Sequence, residues 1–137
     1  MVDPERLHRL LRRVTADLHT LRGYAALGGS AVLADPARLG HVKYLFITAI
    51  EGCIDAAHHV ASSGGLRPVD SNADVMLALG EHEVLTPVLA RSMAQAVRFR
   101  NVLVHGYAQV DDERVVGYLD ELGDLEEYVA ALASLIT

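Results

Sequence analysis

Apolar residues return every three or four positions through most of this chain, and no segment alternates as a half-exposed strand requires. The first run, Leu7, Leu10, Leu11, Val14, Leu18 and Leu21, marks one face of a helix. Asp3-Pro4 starts it, because the carboxylate can cap free N–H groups and proline suits the first turn. Gly28-Gly29 closes this section. Asp35-Pro36 repeats the start signal, and the longest helical period follows: Leu39, Val42, Leu45, Phe46, Ala49, Ile50, Cys53, Ile54, Ala57 and Val60. Within it the uncharged stretch from Tyr44 to Ile50 reads as a buried face. Gly64-Gly65 and Pro68 stop the helix.

A short helix is expected from about Asn72 to Leu79, closed by Gly80. Thr86-Pro87 opens the next, whose apolar side is Leu89, Met93, Ala96, Val97, Val102 and Leu103. Gly106, just after His105, suits a left-handed helix end. The last helix begins near Asp111 or Asp112, acids that favour the positive end of the helix dipole. It buries Val115, Leu119, Leu122, Leu125, Val129, Leu132 and Ile136. No repeat, low-complexity tract or long linker divides the pattern. The expectation is an all-α chain: an antiparallel bundle of four to five helices, one domain over residues 1–137.

A chain of 137 residues buries a core without cross-links. Its single cysteine, Cys53, excludes an internal disulfide, points to a reducing compartment and sits among apolar core positions. No signal-peptide core follows Arg6 and Arg9, and no apolar run approaches a membrane span, so a cytoplasmic location is expected. The net charge of -6 argues against a surface that grips nucleic acid all over. Its distribution says more. Residues 84–110 hold Arg91, Arg98 and Arg100 with no acid, whereas residues 111–137 hold Arg114 against eight acids. The acid-free window, which also holds His105, is a candidate anion site. Arg6, Arg9, Arg12 and Arg13 make the first helix basic, suited to RNA or to an acidic partner, although exposure to solvent is the ordinary state of such arginines.

Chemistry concentrates between Arg98 and Tyr107. Arg100 offers a planar fork of donors that fits phosphate, and His105 can exchange a proton near neutral pH. Asn101 and His105 are four apart and share a helix face, so the amide can orient the imidazole. Arg100 and His105 are five apart, about 140° around the helix. They converge only if His105 lies at a frayed end or if a second subunit completes the site. One helix earlier, Glu51, Asp55 and His59 follow at four-residue steps with His58 alongside. They read as cleft support that sets the charge of His105, or as a solvated polar stripe. With no His-x-x-x-His or cysteine pair nearby, no metal and no cofactor are expected.

The run Arg100-Asn101-x-x-x-His105-Gly106-Tyr107 near a helix end resembles the Arg-x-x-x-x-His-x-Tyr signature of HEPN-domain proteins, and within them the HepT-like toxins. The resemblance extends to Asp35-Pro36 ahead of the long helix with Glu51, Asp55 and His59, to the Gly/Pro linker after it, and to the acidic last helix. It implies a homodimeric helical bundle in which both Arg/His pairs meet in an interface cleft. It also implies metal-independent RNA cleavage, with a ribose 2′-hydroxyl attacking the adjacent phosphate. On this chain Arg100 would hold the scissile phosphate, His105 would act as general acid or base, and Asn101 would help position it. The implied partner is a minimal nucleotidyltransferase antitoxin that transfers AMP from ATP to Tyr107, setting negative charge beside Arg100. The alternative on the same fold is a non-catalytic helical module that docks the nucleotidyltransferase. Catalysis loses ground if the eight acids of residues 111–137 line the Arg100 cleft.

Overall fold

The computed structural model describes residues 2–106 and 109–137. The described residues form helices α1 (Pro4–Leu27), α2 (Gly29–Leu33), α3 (Pro36–Ser63), α4 (Asn72–Glu81), α5 (Pro87–His105), α6 (Asp112–Gly117) and α7 (Leu122–Ala133), with no strand among them. Five of these are ten residues or longer and make the expected all-helical bundle. The proline starts are real N-termini. Asp3 accepts from the N–H groups of Glu5 and Arg6, Asp35 from Ala37, and Thr86 from Leu89. Ser71 caps α4 and Asp111 caps α6 in the same way.

Polar contacts at three levels show that α1 and α3 run antiparallel. At one end the Asp3 N–H donates to His59 Nε2 at 3.1 Å. Midway Thr48 donates to Asp17 at 2.6 Å, and at the far end Tyr24 and His41 share a 2.7 Å hydrogen bond. The core lies beneath, with Leu7, Leu21, Phe46, Ile50, Met93, Phe99, Leu125 and Leu132 all buried. Tyr128, on α7, is buried too, and its hydroxyl donates to the Cys53 carbonyl at 2.8 Å, pinning the last helix to the middle of α3. Burial holds the Tyr128 hydroxyl and the Cys53 thiol well above their ordinary pKa values, so Cys53 stays protonated and inert.

Several local expectations change. Gly80 does not end α4 but lies within it, because a side chain there would meet α5: an added Cβ would stand 2.6 Å from the Ala90 Cβ. The helix closes one residue beyond Glu81, at His82. Gly28 does require glycine, at φ 101°, but the chain after it coils again into α2. Gly106 closes α5 at φ -124°, outside the left-handed region, with its N–H bonded to the Val102 carbonyl at 2.8 Å. The acidic last helix is two helices joined by a tighter turn over Tyr118–Glu121. This break seats Tyr118 flat on Phe99, with ring centroids 4.2 Å apart and planes 3° apart, and Phe46 edge-on to both. The Tyr44–Ile50 stretch is only partly a buried face, for Tyr44 is 61% exposed while Leu45, Phe46, Ala49 and Ile50 are buried. Val102 is likewise 43% exposed, on the outer side of α5.

No helix among the described residues is long and apolar enough to cross a membrane.

Candidate active site

The aromatic cluster fixes how α5 presents its polar residues. Phe99 and Leu103 face the core, and removing a ring such as Phe99 costs about 3–5 kcal/mol in buried sites. With that side anchored, Arg100 turns toward α3. Its Nε and Nη2 donate to the same oxygen of Glu51, Oε2, at 3.2 and 2.6 Å, and Nη1 donates to Asn101 Oδ1 at 3.0 Å. The Arg100 side chain is 19% exposed and that of Glu51 is 43% exposed. Three of the five guanidinium N–H groups are therefore engaged. Among the described residues, one N–H on each terminal nitrogen is left for another acceptor.

His105 is the last residue of α5 and is exposed. Among the described residues it has no hydrogen-bond or ion-pair partner. The five-residue step puts it about 7.5 Å further along the axis than Arg100 and about 140° around it, and no hydrogen bond joins the two. Asn101 shares the His105 side of the helix, but its amide oxygen faces Arg100. Tyr107 lies outside the described residues.

Of the three polar residues on α3, Glu51 alone reaches the Arg100 site. His59 is tied to the start of α1 through the Asp3 N–H, and neighbouring His58 bonds Asn72 at 2.8 Å. Asp55 is exposed and borders a groove between α1 and α3. No three His, Cys, Asp or Glu side chains among the described residues come together as metal ligands would. None of the eight acids of residues 111–137 is a partner of Arg100. Asp112 pairs with Lys43 at 2.8 Å and Glu126 with Arg22, which holds its carboxyl below the usual range.

Two features escaped the sequence reading. One is the identity of Glu51's partner, which is 49 residues away in the chain. The other is the groove bordered by Tyr44, Thr48, Glu51 and Asp55. Their spacing of four, three and four was visible as a second stripe on α3, opposite the apolar one.

A family model described as ribonuclease HepT-like matches residues 7–132, nearly the whole chain including this site. The chain belongs to the HepT-like family. Two curated relatives share shorter stretches with this family member. The mRNA nuclease HepT of Shewanella oneidensis is 29% identical over 80 residues, covering 58% of this chain and 60% of that protein. The tRNA nuclease HepT of Aphanizomenon flos-aquae is 32% identical over 65 residues, 47% of this chain and 44% of that one. The aligned part thus spans about half the length of these relatives. Among solved structures, the Shewanella oneidensis HEPN toxin, tri-AMPylated and in complex with an MNT antitoxin, superposes with a TM-score of 0.86. It covers 98% of this chain and 99% of that one at 21% identity, a likeness of fold.

Proposed function

We propose that this chain is the toxin of a toxin–antitoxin pair, an endoribonuclease that needs no metal and uses Arg100 and His105 in a cleft between two copies. The observation that carries the reading is the state of the two side chains. Among the described residues Arg100 is held in place with two donors unspent, and His105 stands exposed and without a partner five residues on. Arg100 then forks the non-bridging oxygens of the scissile phosphate and stabilises the charge that grows there. The ribose 2′-oxygen attacks phosphorus, a new O2′–P bond forms and the P–O5′ bond breaks. One base accepts the 2′-hydroxyl proton and one acid returns a proton to O5′, and His105 serves in one of these roles. Asn101, bonded to Arg100, positions the guanidinium and lies four residues from the imidazole.

A second copy is invoked because one chain leaves Arg100 and His105 on different sides of α5. The partner in this reading is a nucleotidyltransferase antitoxin. The Tyr107 hydroxyl attacks the α-phosphate of ATP, taking up AMP and releasing pyrophosphate. The added negative charge then competes for Arg100. The names of the nuclease relatives and of the AMPylated neighbour support both halves.

Expression of the chain alone, and as His105→Ala, with growth and total RNA followed together, tests the assignment. Wild type should stop growth and cut RNA while the variant does neither. Equal behaviour with intact RNA would sink the nuclease reading and leave a helical partner for a nucleotidyltransferase. Intact mass after co-expression with such an enzyme should rise by AMP groups in the wild type and not in Tyr107→Phe.

A further inference from the structure

Packing does not close the outer face between α1 and α3. A groove of about 320 Å³ opens there beside Arg13, Tyr44, Thr48 and Glu51. A second, of about 400 Å³, lies beside Arg6, His58 and Ser62. Leu10 and Asp55 border both, so the two make one furrow along the helix pair. Glu51 belongs to its wall and to the Arg100 ion pair at once, which sets the furrow beside the site.

The charges along this furrow are sorted. Arg6 and Arg13 are seven residues apart, two turns and about 10.5 Å along α1, and among the described residues neither guanidinium has an ion-pair or hydrogen-bond partner. Arg9 and Arg12 face elsewhere, toward His8 and Ile136. Two of the furrow's carboxylates have partners: Glu51 is ion-paired with Arg100, while Asp17 accepts from the Thr48 hydroxyl at 2.6 Å and keeps its charge. Asp55 is the third, set between the two arginine sites. Tyr44 is an exposed residue and stacks on no other aromatic among the described residues.

Free cations spaced along a groove, with an open aromatic ring at one end, are what an unpaired strand requires. We propose that the furrow is the path by which single-stranded RNA reaches Arg100, with Arg6 and Arg13 on backbone phosphates and Tyr44 stacked on an unpaired base. Asp55 repels a phosphate at its own level and accepts hydrogen bonds from a base amino group instead, which separates the two phosphate positions. A duplex cannot use Tyr44, since its bases are already stacked. The inference rests on the ribonuclease reading, but binding can be measured apart from cleavage.

The test uses His105→Ala protein titrated with fluorescein-labelled single-stranded RNA at several salt concentrations, while wild-type cleavage is assayed in parallel. The R6Q/R13Q pair should weaken binding about ten-fold and lower the salt slope by about 1.4, roughly 0.7 for each phosphate contact on a single strand. The R9Q/R12Q pair removes the same charge and should stay within about two-fold of the parent, because its residues face away. Tyr44→Ala should weaken binding roughly five-fold or more, and Tyr44→Phe should restore it. Each variant should melt with its parent by circular dichroism.

Equal losses from the two arginine pairs would overturn the path, since net charge alone would explain them. So would unchanged binding in Tyr44→Ala. A dimer that Tyr44→Ala splits, seen by light scattering, would also overturn it by making the furrow a contact between copies. Furrow-dependent binding without any wild-type cleavage would support the path and sink the nuclease reading. Cleavage that ignores Arg6, Arg13 and Tyr44 would do the reverse.

Discussion

Arg67 and Arg100 each grip carboxylates, yet they differ in how completely. Arg67, in the linker between α3 and α4, spends all five N–H groups. Nε and Nη2 reach Glu81 at 2.8 and 2.6 Å, Nη1 and Nη2 reach Asp74 at 2.9 Å each, and Nη1 also meets the Pro68 carbonyl at 3.1 Å. Arg100 spends three, and two of those go to one oxygen. The saturated arginine is a clasp that folds the linker against α4. The unsaturated one is less exposed than the clasp, 19% against 36%, and still has donors to offer. Both arginines form ion pairs, so the pair alone does not set them apart; the count of unused donors does.

The widest separation between the two should come from Arg100→Ala and Arg67→Ala compared side by side. Loss of the Arg100 fork should reduce RNA cleavage about 10²- to 10³-fold, the scale for removing a charge-stabilising donor, with a small change in Tm. Loss of Arg67 should do the opposite, lowering Tm while cleavage per folded molecule stays unchanged. A matching loss of cleavage in Arg67→Ala would erase the distinction. Tm and single-turnover rates on the same preparations decide it.

Glu51→Gln sharpens the Arg100 half. The amide keeps the shape but releases the charge, so Arg100 should bind phosphate roughly two- to five-fold more tightly, in line with a partly exposed ion pair. Inorganic phosphate as a competitor of cleavage reads this directly. A weaker inhibition constant would mean that Glu51 orients Arg100 and that its loss disorders the fork.

The smallest effect is a pH dependence confined to the clasp. The Arg67 guanidinium and the Asp70 N–H hold the Asp74 carboxyl down to about 2, below its usual value. A depressed carboxyl stabilises the fold above its unfolded pKa and loses that contribution as pH falls through the folded one. Urea unfolding should therefore show the clasp intact at pH 5 and fading between about pH 4 and 2. Asp74→Asn should be less stable than wild type at pH 5, and the gap should close as pH approaches 2. A gap that persists there would assign the effect to geometry.

The long helices and their starts were legible from local chemistry alone. Asp3-Pro4, Asp35-Pro36 and Thr86-Pro87 carry both the cap and the fixed φ within adjacent residues, and the 3.6-residue period marks the buried side. The motif from Arg100 to His105 was also legible, because it is contiguous, and so was the all-helical class. Local signals failed where a distant chain sets the outcome. Gly80 looked like a terminator until Ala90 was placed against it, and the acidic last helix looked continuous until Tyr118 had to stack on Phe99. Only the tertiary structure chose Glu51 over Asp55 and His59 as the partner of Arg100, and only it set Arg6 and Arg13 along one furrow with Tyr44. Sequence periodicity says which side of a helix is polar. Which polar residue meets which depends on how two helices cross, and that is decided by the packing of the apolar sides they share.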